Sequence, residues 1–209
     1  MLETKIIAIV REIESNHLLK LVHALYEGGI DRVEVTFNQA MPDSWKTTAE
    51  AIKELSARMK GLVIVGAGTV INKQQLEMAA EAGARYIIMP NTNQELIGNV
   101  KAMKLLAFPG AFTPSEIVTA YEAGADAVKI FPAGGLGANY IKAVKAPLSH
   151  IRLIAVGGVN ETNAAEFIAA GCVGVGVGGN LVNKKWIQGG EWDQITALAR
   201  MYRKAVDGK

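Results

Sequence analysis

Two charged residues stand inside apolar, β-branched segments of the chain. Glu34 lies in V-E-V within "RVEVTF" (32–37), and Lys129 lies in V-K-I within "AVKIFP" (127–132). Charged side chains are almost never buried without a partner. Burial favours the neutral form of a lysine, and a neutral amine can attack a carbonyl group to form a Schiff base. A carboxylate nearby can then move protons on and off the bound molecule.

The same two residues also have a structural interpretation, as an ion pair inside the fold. A buried ion pair is weak support for stability, because the cost of desolvating both charges often offsets their attraction. We therefore favour the reactive interpretation, with Lys129 as the nucleophile and Glu34 as the acid/base. This chemistry is typical of a class I lyase.

Composition restricts the classes of protein to which the chain can belong. Half of its 209 residues are hydrophobic, and 22 Lys and Arg nearly balance 20 Asp and Glu. The absence of a long basic run argues against nucleic acid or an anionic membrane as a partner. No apolar run approaches the ~20 residues of a transmembrane helix, and the N-terminal apolar stretch is too short for a signal peptide. We expect a cytoplasmic protein that acts on a small molecule.

Short β-branched segments alternate with helical patterns about every 25 residues. Eight such segments occur, at 6–10, 32–37, 62–68, 86–90, 104–110, 127–132, 151–158 and 173–179. Strands that alternate with helices imply parallel pairing, and eight units predict a (β/α)8 TIM barrel. We expect one domain over residues 1–209. The alternative is a doubly wound open sheet, which would usually carry a nucleotide-binding fingerprint after its first strand, and "AIVREIESN" has none.

Helix starts are indicated by capping residues. Ser15 or Asn16, Asn72 and Asn160 are predicted N-caps. "TPSE" predicts a capping box between Thr113 and Glu116, with proline at the first helical position.

The active site of such a barrel lies where its strands end. The polar residues at these ends include Arg11, Asn38 and Thr69. The glycines at 157–158 and 178–179, the second pair followed by Asn180, provide backbone N–H groups that can bind phosphate. The alternative for these glycines is tight packing of short loops.

Together these segments resemble the KHG/KDPG aldolase family, small class I aldolases that cleave 2-keto-3-deoxy-6-phosphogluconate and 4-hydroxy-2-oxoglutarate. The similarity runs almost end to end, through "VEVTF", "VGAGTV", "IIMPN", "FPGAFTPSE", "VKIFPA", "GGV" and "GVGGNLV". It implies that Lys129 is the Schiff-base lysine, Glu34 the acid/base and Thr69 a contact of the pyruvate carboxylate. Gly158 and Gly179 become phosphate-loop residues. The substrate-binding residues predicted in all are Arg11, Asn38, Thr69, Pro90, Phe131, Gly157, Gly158, Gly178, Gly179 and Asn180.

The resemblance further implies a homotrimer that uses no metal or cofactor. Two departures from the family pattern matter. Asn38 stands where the gluconate enzymes usually carry an arginine for the substrate carboxylate, and Arg11 could supply that charge instead. Asn180 replaces the serine of their last loop.

Three alternatives to this function remain open. "AVGGV" and "GANYIKAVKA" are similar to the sister branch that acts on 2-keto-3-deoxy-6-phosphogalactonate. A barrel isomerase or decarboxylase would use the phosphate loops without a Schiff base. A barrel without catalytic activity would only bind phosphorylated ligands.

Overall fold

The computed structural model describes residues 5–208, which form parallel strands alternating with helices. The strands are β1 (Ile6–Val10), β2 (Arg32–Thr36), β3 (Ile64–Gly68), β4 (Tyr86–Ile88), β5 (Leu106–Phe108), β6 (Gly110–Ala111), β7 (Val128–Ile130), β8 (Leu153–Val156) and β9 (Cys172–Val177). The α-helices are α1 (Ser15–Glu27), α2 (Trp45–Arg58), α3 (Lys73–Glu81), α4 (Gln94–Ala102), α5 (Pro114–Glu122), α6 (Gly137–Lys145), α7 (Ala164–Ala169), α8 (Lys184–Gly189) and α9 (Trp192–Asp207). A short 3-10 helix, Pro42–Ser44, precedes α2.

All strands belong to one sheet in the order β5-β4-β3-β2-β1-β9-β8-β7-β6. The two strands at its ends, β5 and β6, are neighbours in the chain, so the sheet curls into a nearly closed barrel with helices outside. The prediction of a TIM-type barrel is therefore confirmed.

The fifth predicted strand, 104–110, is divided at Pro109. Proline has no N–H to donate to a neighbouring strand. Its carbonyl oxygen accepts from the Lys129 backbone N–H at 2.8 Å, whereas Phe108 O accepts from Met89 N at 3.1 Å. The segment thus bonds to β4 before the proline and to β7 after it, so the described part of the chain has nine strands where eight were expected.

Alternation along each strand separates two apolar layers. One set of side chains, including Val33, Val35, Val128 and Ile130, packs against the helices. The other set fills the barrel interior and comprises Ile7, Tyr86, Ile88, Phe108, Ala127, Ile154 and Val156. Glu34 and Lys129 alternate with the outer residues and therefore belong to the inner face, as their spacing predicted.

Two of the predicted helix starts are confirmed and two are wrong. The Asn72 side chain caps α3, and Thr113 and Glu116 form the capping box of α5. No side chain caps α1, which follows Glu14. Asn160 is not the cap of α7, because its carboxamide oxygen accepts from the backbone of Thr162 and Asn163 and so forms a turn before the helix. Within residues 5–208, no helix combines the length and apolarity needed to cross a membrane.

Candidate active site

A cavity of about 960 Å³ opens at the carboxyl ends of the strands. It contains both predicted reactive residues, Lys129 and Glu34. The predicted substrate-binding residues that line it are Arg11, Thr69, Pro90, Phe131, Gly157, Gly158, Gly178, Gly179 and Asn180. The barrel therefore brings together residues that lie far apart in the chain, and Asn38 alone of the predicted set is not part of the lining.

Lys129 lies in the middle of β7, between Gly110 on β6 and Ile154 on β8. Its side chain is buried, and its Nζ lies 4.6 Å from the centroid of the Phe131 ring. Burial lowers the pKa of the Lys129 amine; Glu34 partly opposes this effect and the positive charge of Arg11 adds to it. The site therefore favours the neutral, nucleophilic form of the amine more than water does.

Glu34 occupies the same inner face of the barrel, on β2. It is only 2% exposed, and its Oε2 has no hydrogen-bond partner among residues 5–208. Burial raises the pKa of this carboxyl group, while the positive charges of Lys129 and Arg11 act in the opposite direction. A carboxyl group with a raised pKa binds a proton more readily than an exposed carboxyl group does, and it can return that proton to a bound molecule.

The alternative interpretation, a structural ion pair between Lys129 and Glu34, does not agree with the structure. Ion pairs among residues 5–208 do not include Lys129 or Glu34. The charge of each of these two groups still changes the pKa of the other. The two side chains thus line one cavity without forming an ion pair with each other.

The two glycine loops form another wall of the cavity. Gly157 and Gly158 have φ angles of 86° and 75°, a left-handed backbone that favours glycine. Gly158 also approaches the backbone of Gly134, so that a Cβ would come within 3.0 Å of the Gly134 Cα. This wall is therefore made of backbone rather than of side chains.

Asn180 joins the two loops. Its Nδ2 donates to Val159 O at 2.8 Å, which ties the end of β9 to the loop that follows β8. Asn180 is itself one of the lining residues, so the wall is braced by a residue that belongs to it.

Asn38 is held away from the cavity by its neighbours. Its Nδ2 donates to Glu12 Oε1 at 2.7 Å, and its Oδ1 accepts from the Ala40 N–H at 2.9 Å. Glu12 also pairs with Lys184, with 3.4 Å between Oε2 and Nζ. Asn38 is also uncharged, so the positive charge at the cavity rim comes from Arg11 and from the segment after β9.

Three polar residues of the lining were not predicted from the sequence. Asn183, Lys184 and Lys185 follow β9, and the two lysines bring positive charge to the cavity rim, where Glu12 pairs with Lys184. The adjacent lysines of "NKKW" directly after the last strand were the available signal. A basic pair at the carboxyl end of a barrel strand is well placed to attract an anion.

Comparison with known proteins agrees with this geometry. Residues 1–198 match the family model for KDPG and KHG aldolase. The 2-dehydro-3-deoxy-6-phosphogalactonate aldolase of Escherichia coli (strain K12) is 37% identical over 202 residues, with 96% of each chain covered. The KHG/KDPG aldolase of the same strain is 32% identical over 205 residues, with 97% of this chain and 90% of the relative covered.

A solved structure shares the fold. The KDPG aldolase of Legionella pneumophila, with pyruvate captured as a covalent carbinolamine intermediate, superimposes with a TM-score of 0.85 at 27% identity. The match covers 95% of this chain and 94% of that one. With the family model spanning nearly the whole chain and relatives above 30% identity along their length, this protein belongs to the KDPG and KHG aldolase family and is a carbon–carbon lyase.

Proposed function

We propose that the chain cleaves a 2-keto-3-deoxy-6-phosphosugar acid, such as 2-keto-3-deoxy-6-phosphogluconate, or 4-hydroxy-2-oxoglutarate, or both. The products are pyruvate and an aldehyde, glyceraldehyde 3-phosphate or glyoxylate respectively. The observation that carries this proposal is the buried, unpaired Lys129 in one cavity with Glu34, whose Oε2 has no partner. The carbinolamine described for the Legionella pneumophila relative supports the same covalent chemistry.

The reaction begins when the neutral amine of Lys129 adds to the C2 ketone. Loss of water from the carbinolamine gives an iminium ion, which can accept the electron pair of a breaking bond. Glu34, directly or through a water molecule, takes the proton of the C4 hydroxyl group. The C3–C4 bond then breaks, the aldehyde leaves, and the enamine remains on Lys129.

The second half of the reaction restores the enzyme. The enamine takes a proton at C3, which regenerates an iminium ion. Water adds to this ion, and pyruvate leaves as the amine of Lys129 is released. Glu34 lines the same cavity and can return the proton that it removed.

The charges at the rim suit a substrate with anionic groups at both ends. Arg11, Lys184 and Lys185 line the cavity and are exposed. The backbone wall after β8 and β9 leaves room for a phosphate group close to N–H donors. We assign the substrate carboxylate to the region of Thr69 and Arg11, and the phosphate to the glycine loops.

A second candidate substrate is the C4 epimer, 2-keto-3-deoxy-6-phosphogalactonate. The relative named for this substrate is 37% identical, against 32% for the KHG/KDPG aldolase. A panel of both epimers and 4-hydroxy-2-oxoglutarate, with coupled detection of pyruvate, separates the candidates. The epimer that is cleaved with the higher kcat/KM is the preferred substrate.

Borohydride trapping tests the covalent step. The wild-type protein should gain the mass of one reduced pyruvate adduct, and Lys129→Ala should gain none. Lys142→Ala, which removes an exposed lysine on α6, is the matched control and should be trapped like the wild type. An adduct that persists in Lys129→Ala contradicts the proposal. Absence of an adduct in the wild type favours an isomerase or decarboxylase, or, if ligands only stabilise the protein, a binding barrel.

The family resemblance also leads us to propose a homotrimer. Light scattering on the purified protein should give three times the 22.3 kDa mass of the chain. A monomeric mass would contradict this expectation and leave the chemistry above unaffected.

A further inference from the structure

Thr69 faces the cavity with its backbone in an unusual conformation. Its φ is 56°, in the left-handed region that β-branched residues rarely adopt. Such a conformation persists only when the surrounding structure determines it strongly, and it is most common at functional sites. The contacts that hold Thr69 are therefore of interest.

The two peptide planes on either side of the Thr69 Cα are both anchored. The carbonyl oxygen of Gly68 accepts from Phe37 N at 2.9 Å, which holds the preceding plane. In the following plane, Val70 N donates to Ile88 O at 3.2 Å, and the Thr69 carbonyl oxygen accepts from Gln39 Nε2 at 2.5 Å. The last bond is the only one of these three that a side chain supplies.

Gln39 is held in turn by a buried glutamine. Gln75 Nε2 donates to Gln39 Oε1 at 2.9 Å, and Gln75 Oε1 accepts from the Ile71 backbone N–H at 2.9 Å. The bonds form a closed loop from Thr69 O through both side chains to Ile71 N. We call these two side chains the glutamine relay.

Gln75 is 0% exposed, although it lies in the first turn of a surface helix. A buried carboxamide is costly unless its donor and acceptor are both satisfied. The start of α3 is already capped, because Asn72 Oδ1 accepts from Gln75 N at 2.9 Å. The side-chain amide of Gln75 is therefore free to bond elsewhere, and it forms its hydrogen bonds with Ile71 N and Gln39 Oε1.

We propose that Gln75 and Gln39 are positioning residues that hold Thr69 in the orientation that receives the substrate carboxylate. This inference rests on the proposed function, since it assigns a task to Thr69 within that site. Neither glutamine touches the cavity, so any effect on the substrate must pass through Thr69.

The test uses borohydride trapping of pyruvate at increasing pyruvate concentration. Gln75→Leu removes both hydrogen bonds of the buried amide, and Gln39→Met removes the bond to Thr69 at a partly exposed position. Each substitution should raise the pyruvate concentration needed for half-maximal trapping about tenfold. This change corresponds to the loss of roughly one good hydrogen bond to the substrate carboxylate. The final extent of trapping should not change. Gln74→Leu, the exposed neighbour on α3, is the control and should behave like the wild type.

A double-mutant cycle with Thr69→Ala separates positioning from general stability. If the glutamine relay acts through Thr69, Gln75→Leu should change the half-maximal concentration less than about twofold in the Thr69→Ala background. An equal increase in both backgrounds, or a lowered melting temperature with unchanged pyruvate dependence, overturns the inference. Gln39→Met gives the answer if Gln75→Leu does not fold. No adduct in the wild type would reject the proposed function first, and the inference with it.

Discussion

The carboxylate of Glu34 lies over the Cα of Gly68 on the adjacent strand. A Cβ atom added at Gly68 would overlap Glu34 Oε1 and crowd the rest of its carboxylate. Glu34 and Gly68 thus share one space, and the acid group can lie across β3 only because residue 68 has no side chain.

Gly68→Ala should therefore displace Glu34 from its place opposite Lys129. We expect kcat to fall about 100-fold, within the usual range for loss of a general acid/base. Trapping of pyruvate should continue, since Lys129 lies on another strand. Gly135→Ala is the control, because no atom lies within 4 Å of a Cβ there. Wild-type kcat in Gly68→Ala would contradict this account.

The pH dependence of trapping should report the charge of Glu34. The negative charge of Glu34 raises the pKa of Lys129 against the larger effect of burial. Glu34→Gln removes that charge, so the pKa of Lys129 should fall further and the neutral amine should persist to lower pH. At a fixed pyruvate concentration, we therefore expect the pH profile of the rate of borohydride inactivation to move to lower pH.

Arg11→Gln provides the opposite control for this pH profile. Arg11 lowers the pKa of Lys129, so its loss should shift the profile to higher pH. If the pH profile moves in the same direction in both variants, the profile does not report the charge of Lys129.

Arg11 and Asn38 should differ in their effect on pyruvate binding. Arg11 lines the cavity, whereas Asn38 is bonded to Glu12 and Ala40 outside it. We expect Arg11→Gln to raise the half-maximal pyruvate concentration about tenfold, equivalent to one charge-assisted hydrogen bond. Asn38→Ala should change it less than about threefold. The reverse order would place the carboxylate at Asn38.

The loop after β9 allows a direct test of the phosphate site. No atom lies within 4 Å of a Cβ at Gly179, so Gly179→Ala should fold normally and place a methyl group at the cavity wall. KM for the phosphorylated substrate should rise about tenfold, while KM for 4-hydroxy-2-oxoglutarate should stay within about threefold. Equal increases for both substrates would locate the phosphate elsewhere.

Glu116 should make stability depend on pH in the acidic range. Its carboxylate accepts from Phe112 N and from Thr113 N and Oγ1, contacts that lower its pKa below the usual value. A group with a lowered folded pKa stabilises the protein above its unfolded pKa, and this stabilisation is lost as pH falls through the folded value. Glu116→Gln should therefore lose less stability than the wild type between about pH 5 and pH 3. Chemical denaturation at each pH measures this, with the exposed Glu122→Gln on the same helix as control.

The positions of Lys129 and Glu34 were predictable because both lie inside strands. A period of two assigns every other side chain to one face, so the β-branched neighbours of each residue determined where it points. The division of the fifth strand was also foreseeable, since Pro109 cannot donate to a neighbouring strand.

Asn38 and Gln75 were not predictable in the same way. Asn38 follows the end of β2, where no periodicity operates, and its direction is set by Glu12, which lies 26 residues earlier. From the sequence, Gln75 would be expected at an exposed position of the helix. Its burial instead follows from a hydrogen bond to Gln39, 36 residues away. Both depend on contacts between separate loops, which spacing along one segment does not encode.

The division at Pro109 makes the strand pairing uneven around the barrel. Glu34 sits on β2, which pairs with β3 along its whole length, from Arg32 to Thr36. Lys129 sits beside the seam, where β7 meets β6 only at Gly110 and Ala111. The strand that carries the acid is thus paired with β3 at every residue, whereas the strand that carries the nucleophile borders the seam on one side and pairs with β8 at all three of its residues on the other.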